Sequence, residues 1–146
     1  MDRLNHQTAA LRVCVDRAEG GRLSGRVVSR RLTRPMAFTD IGSLLLQVEA
    51  VLDAQKFPQA FERTRTFDPK KQLRVPAAPS LDEGMSPEAV EAAAGEVSTF
   101  QLYVITRRNT TWQGAVDWLD GSPRVAFDSV LELLKLTDEH LSHPHA

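Results

Sequence analysis

Apolar and polar residues alternate along two stretches of the chain, and each stretch precedes an apolar pattern of helical period. From position 11, and again from position 100, every second residue is apolar over the first five positions, and a turn then leads into a second alternating run. Strict alternation places one set of side chains on one face of a β-strand. The pattern therefore predicts two β-hairpins, each with one buried face and one solvated face.

Each predicted hairpin leads into a helix whose start can be identified. Asp40 stands at the N-cap position of the first helix, and Ser129 with Glu132 fits a capping box at the second. Apolar stripes follow at Ile41, Leu44, Leu45, Val48 and Leu52, and at Val130, Leu133, Leu134, Thr137 and Leu141. Because the apolar sheet face is the only large partner for these stripes, we expect both helices to pack on it.

The two β-β-α units correspond when the sequence is shifted by 89 residues. Leu11–Leu52 then lies over Phe100–Leu141 without a gap, with eight identities in 42 positions, among them Gly25 over Gly114. Apolar positions agree wherever the secondary-structure period requires them. We therefore predict an α+β fold of two tandem β-β-α units related by an approximate internal twofold, with four to five antiparallel strands and two main helices on one face.

The chain is expected to form a single domain over residues 1–146, with unit one at 11–54, an insert at 57–99 and unit two at 100–142. Phe57-Pro58 should end the first helix, and alternation over 59–67 favours a further strand. Prolines 69, 76 and 79 predict a loop, and Ser86-Pro87-Glu88 predicts the start of a short helix that Gly95 ends.

Composition narrows the class of protein. With 42% hydrophobic and 25% charged residues, 146 residues can bury a sizeable core. Cys14 is the only cysteine, which excludes an intramolecular disulfide. The longest apolar run contains Gln47 and Glu49 and is too short to cross a bilayer. We therefore expect a soluble cytoplasmic protein that does not engage the membrane.

Two tryptophans stand out in the stretch NTTWQGAVDW. Trp112 and Trp118 fall on the parity of the buried face, which favours packing under the helices over stacking on a ligand. Trp112 lies near the hairpin end, where we expect it to be about half exposed, and it is retained as a candidate aromatic anchor. Gly114, matched by Gly25, is expected where a bulky neighbour or a helix approaches the strand closely.

Charge is unevenly distributed although the formal net charge is −1. Residues 1–80 carry 14 Lys+Arg against 8 Asp+Glu, and residues 81–146 carry 4 against 11. We expect the two halves to attract each other within the fold or across an oligomer; the alternative is that the basic half binds anions. The candidate binding residues are Arg12, Arg22, Arg26, Arg30, Tyr103, Trp112 and Gln113. All of them except Trp112 lie on the solvated parity.

No motif for catalysis is found. HExxH, a nucleophile elbow and CxxC are absent, and the glycines of EGGRLSGR do not have phosphate-loop spacing. His140, His143 and His145 are interpreted as a frayed terminus, so we predict no catalytic residue, metal or cofactor. The expected function is a non-catalytic binding or adaptor module that contacts a protein partner or itself. RNA or single-stranded DNA binding through the arginine face is the alternative, and small-molecule binding in the groove between the units is the third hypothesis.

Overall fold

The fold is α+β, as predicted, and is built on one antiparallel sheet. The computed structural model describes residues 9–19, 22–58, 74–109 and 111–142. Within these ranges the strands are β1 (Leu11–Glu19), β2 (Arg22–Val28), β3 (Met36–Phe38), β4 (Ser98–Thr106), β5 (Gln113–Asp117) and β6 (Val125–Phe127). The helices are α1 (Ile41–Gln55), α2 (Pro87–Ala92) and α3 (Val130–Ser142), with a 3-10 helix at Leu81–Glu83.

The sheet has six strands, where the sequence predicts four to five. The strand order is β3-β2-β1-β4-β5-β6, and every neighbouring pair is antiparallel. The edge strands β3 and β6 have three residues each, which is too short for alternation to distinguish them from a loop. The further strand expected at 59–67 lies outside the described residues.

The two predicted hairpins meet at the centre of this sheet. β1 pairs with β4, and Arg12 lies directly opposite Gln101 in the register. The side chains at odd positions of β1 and even positions of β4, such as Val13 and Leu102, form a single apolar core with α1 and α3. We call the sheet face under α1 and α3 the inner face, and the face that carries Arg12 and Gln101 the outer face. Both helices therefore cover the same side of the sheet, as expected.

Local signals position both long helices. The Asp40 carboxylate accepts a hydrogen bond of 2.7 Å from Ser43 N and completes a capping box at the start of α1. Ser129 Oγ accepts a hydrogen bond of 3.0 Å from Glu132 N at the start of α3. α1 ends at Gln55, and Lys56 adopts the left-handed conformation with φ 53°. The predicted helix starts are confirmed.

Each hairpin contains a bulge beside a glycine that could not carry a side chain. The register shifts between Val15 and Arg17 in the first hairpin and between Val104 and Thr106 in the second. A Cβ at Gly114 would lie 2.8 Å from Tyr103 C and closer still to the carbonyl oxygen, and Gly25 is similarly crowded by Cys14. The close neighbour is thus the backbone of the paired strand, whereas the sequence suggested a bulky side chain or a helix.

The insert covers part of the outer face, which corrects the expectation that this parity is solvated. Val97 N donates a hydrogen bond of 2.9 Å to Val15 O, and there is no space for a Cβ between Gly95 and the backbone of Val15. Cys14, which faces outward from β1, is completely buried. The alternation pattern could not show this because the covering segment lies about 80 residues away in the chain.

Candidate functional site

Arg12 and Arg26, two of the four candidate arginines, are bound to the insert of the same chain. Arg12 Nε donates a hydrogen bond of 2.8 Å to Ala93 O. Arg26 pairs with Asp16 at 3.1 Å and donates a second hydrogen bond of 3.2 Å to Ala94 O. These side chains fasten the insert across β1 and β2, so part of their hydrogen-bonding capacity is already used within the fold.

Arg22 and Arg30 have different surroundings. Arg22 is exposed at the start of β2, beside the hairpin turn. Arg30 is half-buried after the end of β2, and no hydrogen-bond partner for its buried Nε lies in the described part of the chain. The four arginines therefore belong to one hairpin and the residues that follow it, but they differ in burial and in bonding.

Tyr103 and Gln113 lie in the second hairpin. The Tyr103 hydroxyl donates to Gln101 Oε1 at 2.5 Å, and the Arg124 guanidinium stacks over the Tyr103 ring at 4.4 Å from its centroid. The Gln113 side chain accepts from Arg108 N at 2.9 Å and donates to Arg108 O at 3.0 Å. Gln113 thereby closes the turn between β4 and β5, which is a structural role.

Trp112 is buried, where the sequence suggested about half exposure. Only 4% of the residue is accessible, and its indole Nε1 donates to the Glu49 carboxylate of α1. The neighbouring Arg107 bonds Asp53 at 2.6 Å and Pro58 O at 2.6 Å. Trp112 therefore anchors the start of β5 to α1, and its aromatic face belongs to the core rather than to a ligand surface.

Arg31 is a second buried arginine, which sequence reasoning did not identify. Its guanidinium donates to Gln55 Oε1 at 2.7 Å, to Ala9 O at 3.3 Å and to Phe57 O. Burial, followed by the nearby charge of Arg107, lowers the pKa of Arg31 to about 10. Two of these three acceptors are backbone carbonyls, which the pattern of side chains in the sequence cannot reveal.

A cavity of about 420 Å³ opens where β5 ends, at a place the sequence did not indicate. Trp118, which is buried, stacks on His140 of α3 with ring centroids 3.9 Å apart. His140 Nε2 lies 3.1 Å from Asp120 Oδ2. The lining residues are Arg12, Val97, Ser98, Thr99, Trp118, Leu119, Asp120, His140 and Leu141. The cavity falls within the range of volumes that hold small ligands, about 300–1,000 Å³.

The ionisable groups of this cavity have defined surroundings. Hydrogen bonds from Ser122, and to a smaller degree the charge of His140, lower the pKa of the Asp120 carboxyl below its ordinary value. Asp120 is therefore ionised at neutral pH and gives a negative charge to a cavity that Arg12 also lines. His140 belongs to α3, so its interpretation as part of a frayed terminus is wrong; His143 and His145 lie outside the described residues.

The space between α1 and α3, the helices of the two units, is almost filled. It has a volume of about 20 Å³, and its lining includes Leu44, Val48, Leu133 and Leu134. Such a volume is far below that of ordinary ligand pockets. Cys14 is also unsuited to nucleophilic chemistry, because desolvation by burial raises the pKa of its thiol.

Comparisons with known proteins identify no relative. No protein-family model, no curated protein and no solved structure matches the chain. Among the described residues, no helix has the length and apolar character required to cross a membrane.

Proposed function

We propose that this chain is a non-catalytic binding module that acts by protein contact, in the first instance with a second copy of itself. One observation carries the proposal: Leu46 and Leu131 are the most exposed of the large hydrophobic residues in the described chain, at 63% and 62%. Each lies on one of the two helices that cover the inner face. A contact through this helix layer would remove both leucines from water.

The position of each leucine supports a contact on the outside of the helix layer. Leu46 follows the buried Leu44 by two residues, which is about 200° around a helix. Leu131 precedes the buried Leu133 by the same interval. Both side chains therefore point away from the sheet, and they do not contribute to the core of their own chain.

Charge complementarity favours a second copy as the partner. The 1–80 segment carries an excess of six positive charges, and the 81–146 segment an excess of seven negative charges. A twofold-related pair can place the basic half of one copy against the acidic half of the other. Unlike charges would then face each other twice across the interface.

We further propose that the fold arose from a duplicated β-β-α unit. Arg12 and Gln101 are related by the 89-residue shift, and they lie directly opposite each other on the neighbouring central strands β1 and β4. Gly25 pairs with Phe38 in unit one, and Gly114 pairs with Phe127 in unit two. The bulges and the glycines beside them are also related by 89 residues. An approximate twofold axis at the centre of the sheet, which relates unit one to unit two, would account for these correspondences.

Nucleic-acid binding through Arg12, Arg22, Arg26 and Arg30 is the weaker alternative. Arg12 and Arg26 already bond carbonyls of the insert, and Arg26 pairs with Asp16. An oligonucleotide would have to compete with these bonds, and the Tyr103 ring of this face already stacks against Arg124.

The molar mass in solution tests the proposal. Light scattering coupled to size exclusion, over micromolar to submillimolar concentrations, should give twice 16.2 kDa for the wild-type chain. Leu46→Glu and Leu131→Glu should each give 16.2 kDa, because a buried carboxylate opposes association. High salt should weaken the pair if charge complementarity contributes.

The matched control is Ile105→Glu, which introduces the same charge at a residue that is 41% exposed on β4, outside the helix layer. This variant should keep the mass of a dimer. A wild-type chain that remains a monomer at every concentration would overturn the proposal, and so would a dimer that both leucine variants leave intact. Oligonucleotide added at low salt, with a mass increase abolished by Arg22→Gln, would support the alternative instead.

A further inference from the structure

Residues that line the cavity at the end of β5 have counterparts in unit one, and these counterparts bond the chain's own backbone. Residues 29–31 follow β2 as residues 118–120 follow β5, at the 89-residue shift. In unit one, Ser29 Oγ donates to Ala10 O at 2.7 Å, and Arg31 Nη1 donates to Ala9 O at 3.3 Å. These bonds close the space between the start of β1 and the chain that leaves β2.

In unit two the same bonds cannot form, because the residues have changed. Trp118 stands in place of Ser29, and Asp120 in place of Arg31. An ionised carboxylate has no proton to donate to a backbone carbonyl. The Asp120 carboxylate instead accepts a hydrogen bond of 2.9 Å from Ser122 N and pairs with His140. The space stays open, with a volume of about 420 Å³.

The wall of the cavity is held in place by aromatic contacts. His140 stacks on Trp118 with an interplanar angle of 5°. Phe100 contacts the same tryptophan edge-on, with ring centroids 5.2 Å apart. Trp118 and Phe100 are both buried. Because these rings are packed, Asp120 and His140 are positioned before any ligand arrives, which lowers the entropy lost on binding.

The lining combines two opposite charges with an apolar part. Arg12 and Asp120 both line the cavity; Arg12 uses its Nε for Ala93 O, and within the described residues its two terminal nitrogens have no hydrogen-bond acceptor. Val97 and Leu119 are 51% and 42% exposed and give the lining an apolar part. A small ligand that carries an anion, a cation and an apolar group would match these three features of the lining.

We propose that this cavity binds a small zwitterion of the α-amino-acid class with an apolar side chain. The ligand carboxylate bonds Arg12, its ammonium group bonds Asp120, and its side chain covers Val97 and Leu119. Asp120 keeps its contacts with Ser122 and His140, because a carboxylate accepts about four hydrogen bonds. The inference goes beyond the proposed self-association, since it concerns a different surface and a ligand of a different kind.

Calorimetric titration with L-leucine tests the assignment. The two matched probes are isoamylamine, which lacks the carboxylate, and 4-methylpentanoate, which lacks the ammonium group. Leucine should bind the wild-type chain, and each probe should bind at least about tenfold more weakly, since each loses one charge-assisted hydrogen bond. Asp120→Asn and Arg12→Gln should weaken leucine binding by a similar factor.

Two further variants separate a binding effect from a folding effect. Arg124→Gln removes an arginine that stacks on Tyr103 outside the cavity, and it should leave leucine binding unchanged. Asp120→Arg places in unit two the residue that stands at the matching position of unit one, and it should abolish binding while the circular dichroism spectrum stays native. The proposal is overturned if neither leucine nor phenylalanine binds at millimolar concentration, if isoamylamine binds as well as leucine, or if Asp120→Arg binds leucine normally.

Discussion

Gly114→Ala is expected to destabilise the fold although it adds a single methyl group. The new Cβ would lie 2.8 Å from Tyr103 C and closer to Tyr103 O, whereas real Cβ atoms essentially never lie within 3.0 Å of such atoms. The neighbour is backbone rather than a flexible side chain. β4 and β5 would have to separate locally by roughly 1 Å, against an ordinary strand spacing of about 4.8 Å.

The magnitude follows from the bonds that such a displacement weakens. One or two ladder hydrogen bonds at the bulge, at about 1 kcal/mol each, are lost together with about 1–3 kcal/mol of packing strain. The expected loss is therefore about 2–5 kcal/mol, a large part of the roughly 5–15 kcal/mol that stabilises a domain. A melting temperature lower by roughly 10 °C corresponds to the middle of this range.

Urea unfolding followed by circular dichroism measures the change in the free energy of unfolding. The matched control is Gly42→Ala in the first turn of α1, where the nearest atom to the new Cβ is Asp40 Oδ1 at 3.3 Å and a helix favours alanine. This control should change stability by less than about 1 kcal/mol. If Gly114→Ala were as stable as the wild type, the close approach of Tyr103 would not be the reason for a glycine at this position.

Three other predictions concern ionisable side chains. Arg107→Met should lower the free energy of unfolding by about 1–3 kcal/mol, since it leaves a buried carbonyl acceptor without its donor; an unchanged urea midpoint would contradict this. Cys14, whose thiol is buried with a raised pKa, should react with a thiol reagent only at the rate of unfolding, and rapid labelling of the native protein would contradict its burial. The Asp120 carboxyl has a lowered pKa, first through hydrogen bonds from Ser122, so its stabilising effect is present above the unfolded value of 3.8 and disappears as the pH falls through the folded pKa. Urea midpoints of the wild type and Asp120→Asn should therefore converge in acid, and a constant difference between them would exclude this linkage.

Local sequence patterns predicted the elements that depend on neighbouring residues in the chain, namely the long strands and the helix starts. Alternation located the long strands β1 and β4, and the capping residues Asp40 and Ser129 located the helix starts. The three-residue strands β3 and β6 were missed, because less than two periods of alternation cannot be recognised.

The features that sequence reasoning missed depend on contacts between distant residues. The insert buries Cys14 from a position about 80 residues away, and the Asp120–His140 pair joins the end of β5 to α3. Arg31 is held by backbone carbonyls, which every residue possesses. Neither the spacing nor the type of these residues separates them from ordinary surface residues, so the candidate cavity could only be found from coordinates.

The contacts of Arg107 and Trp112 with α1 and the residues after it link the unfolding of the two halves of the chain. Both residues belong to the second hairpin region, yet they bond Glu49, Asp53 and the Pro58 carbonyl at the far end of the helix that follows the first hairpin. Neither half of the polypeptide can satisfy these groups by itself. If the chain were cleaved within the insert, the two fragments should remain associated and melt together as one cooperative unit, rather than separate into independently stable pieces.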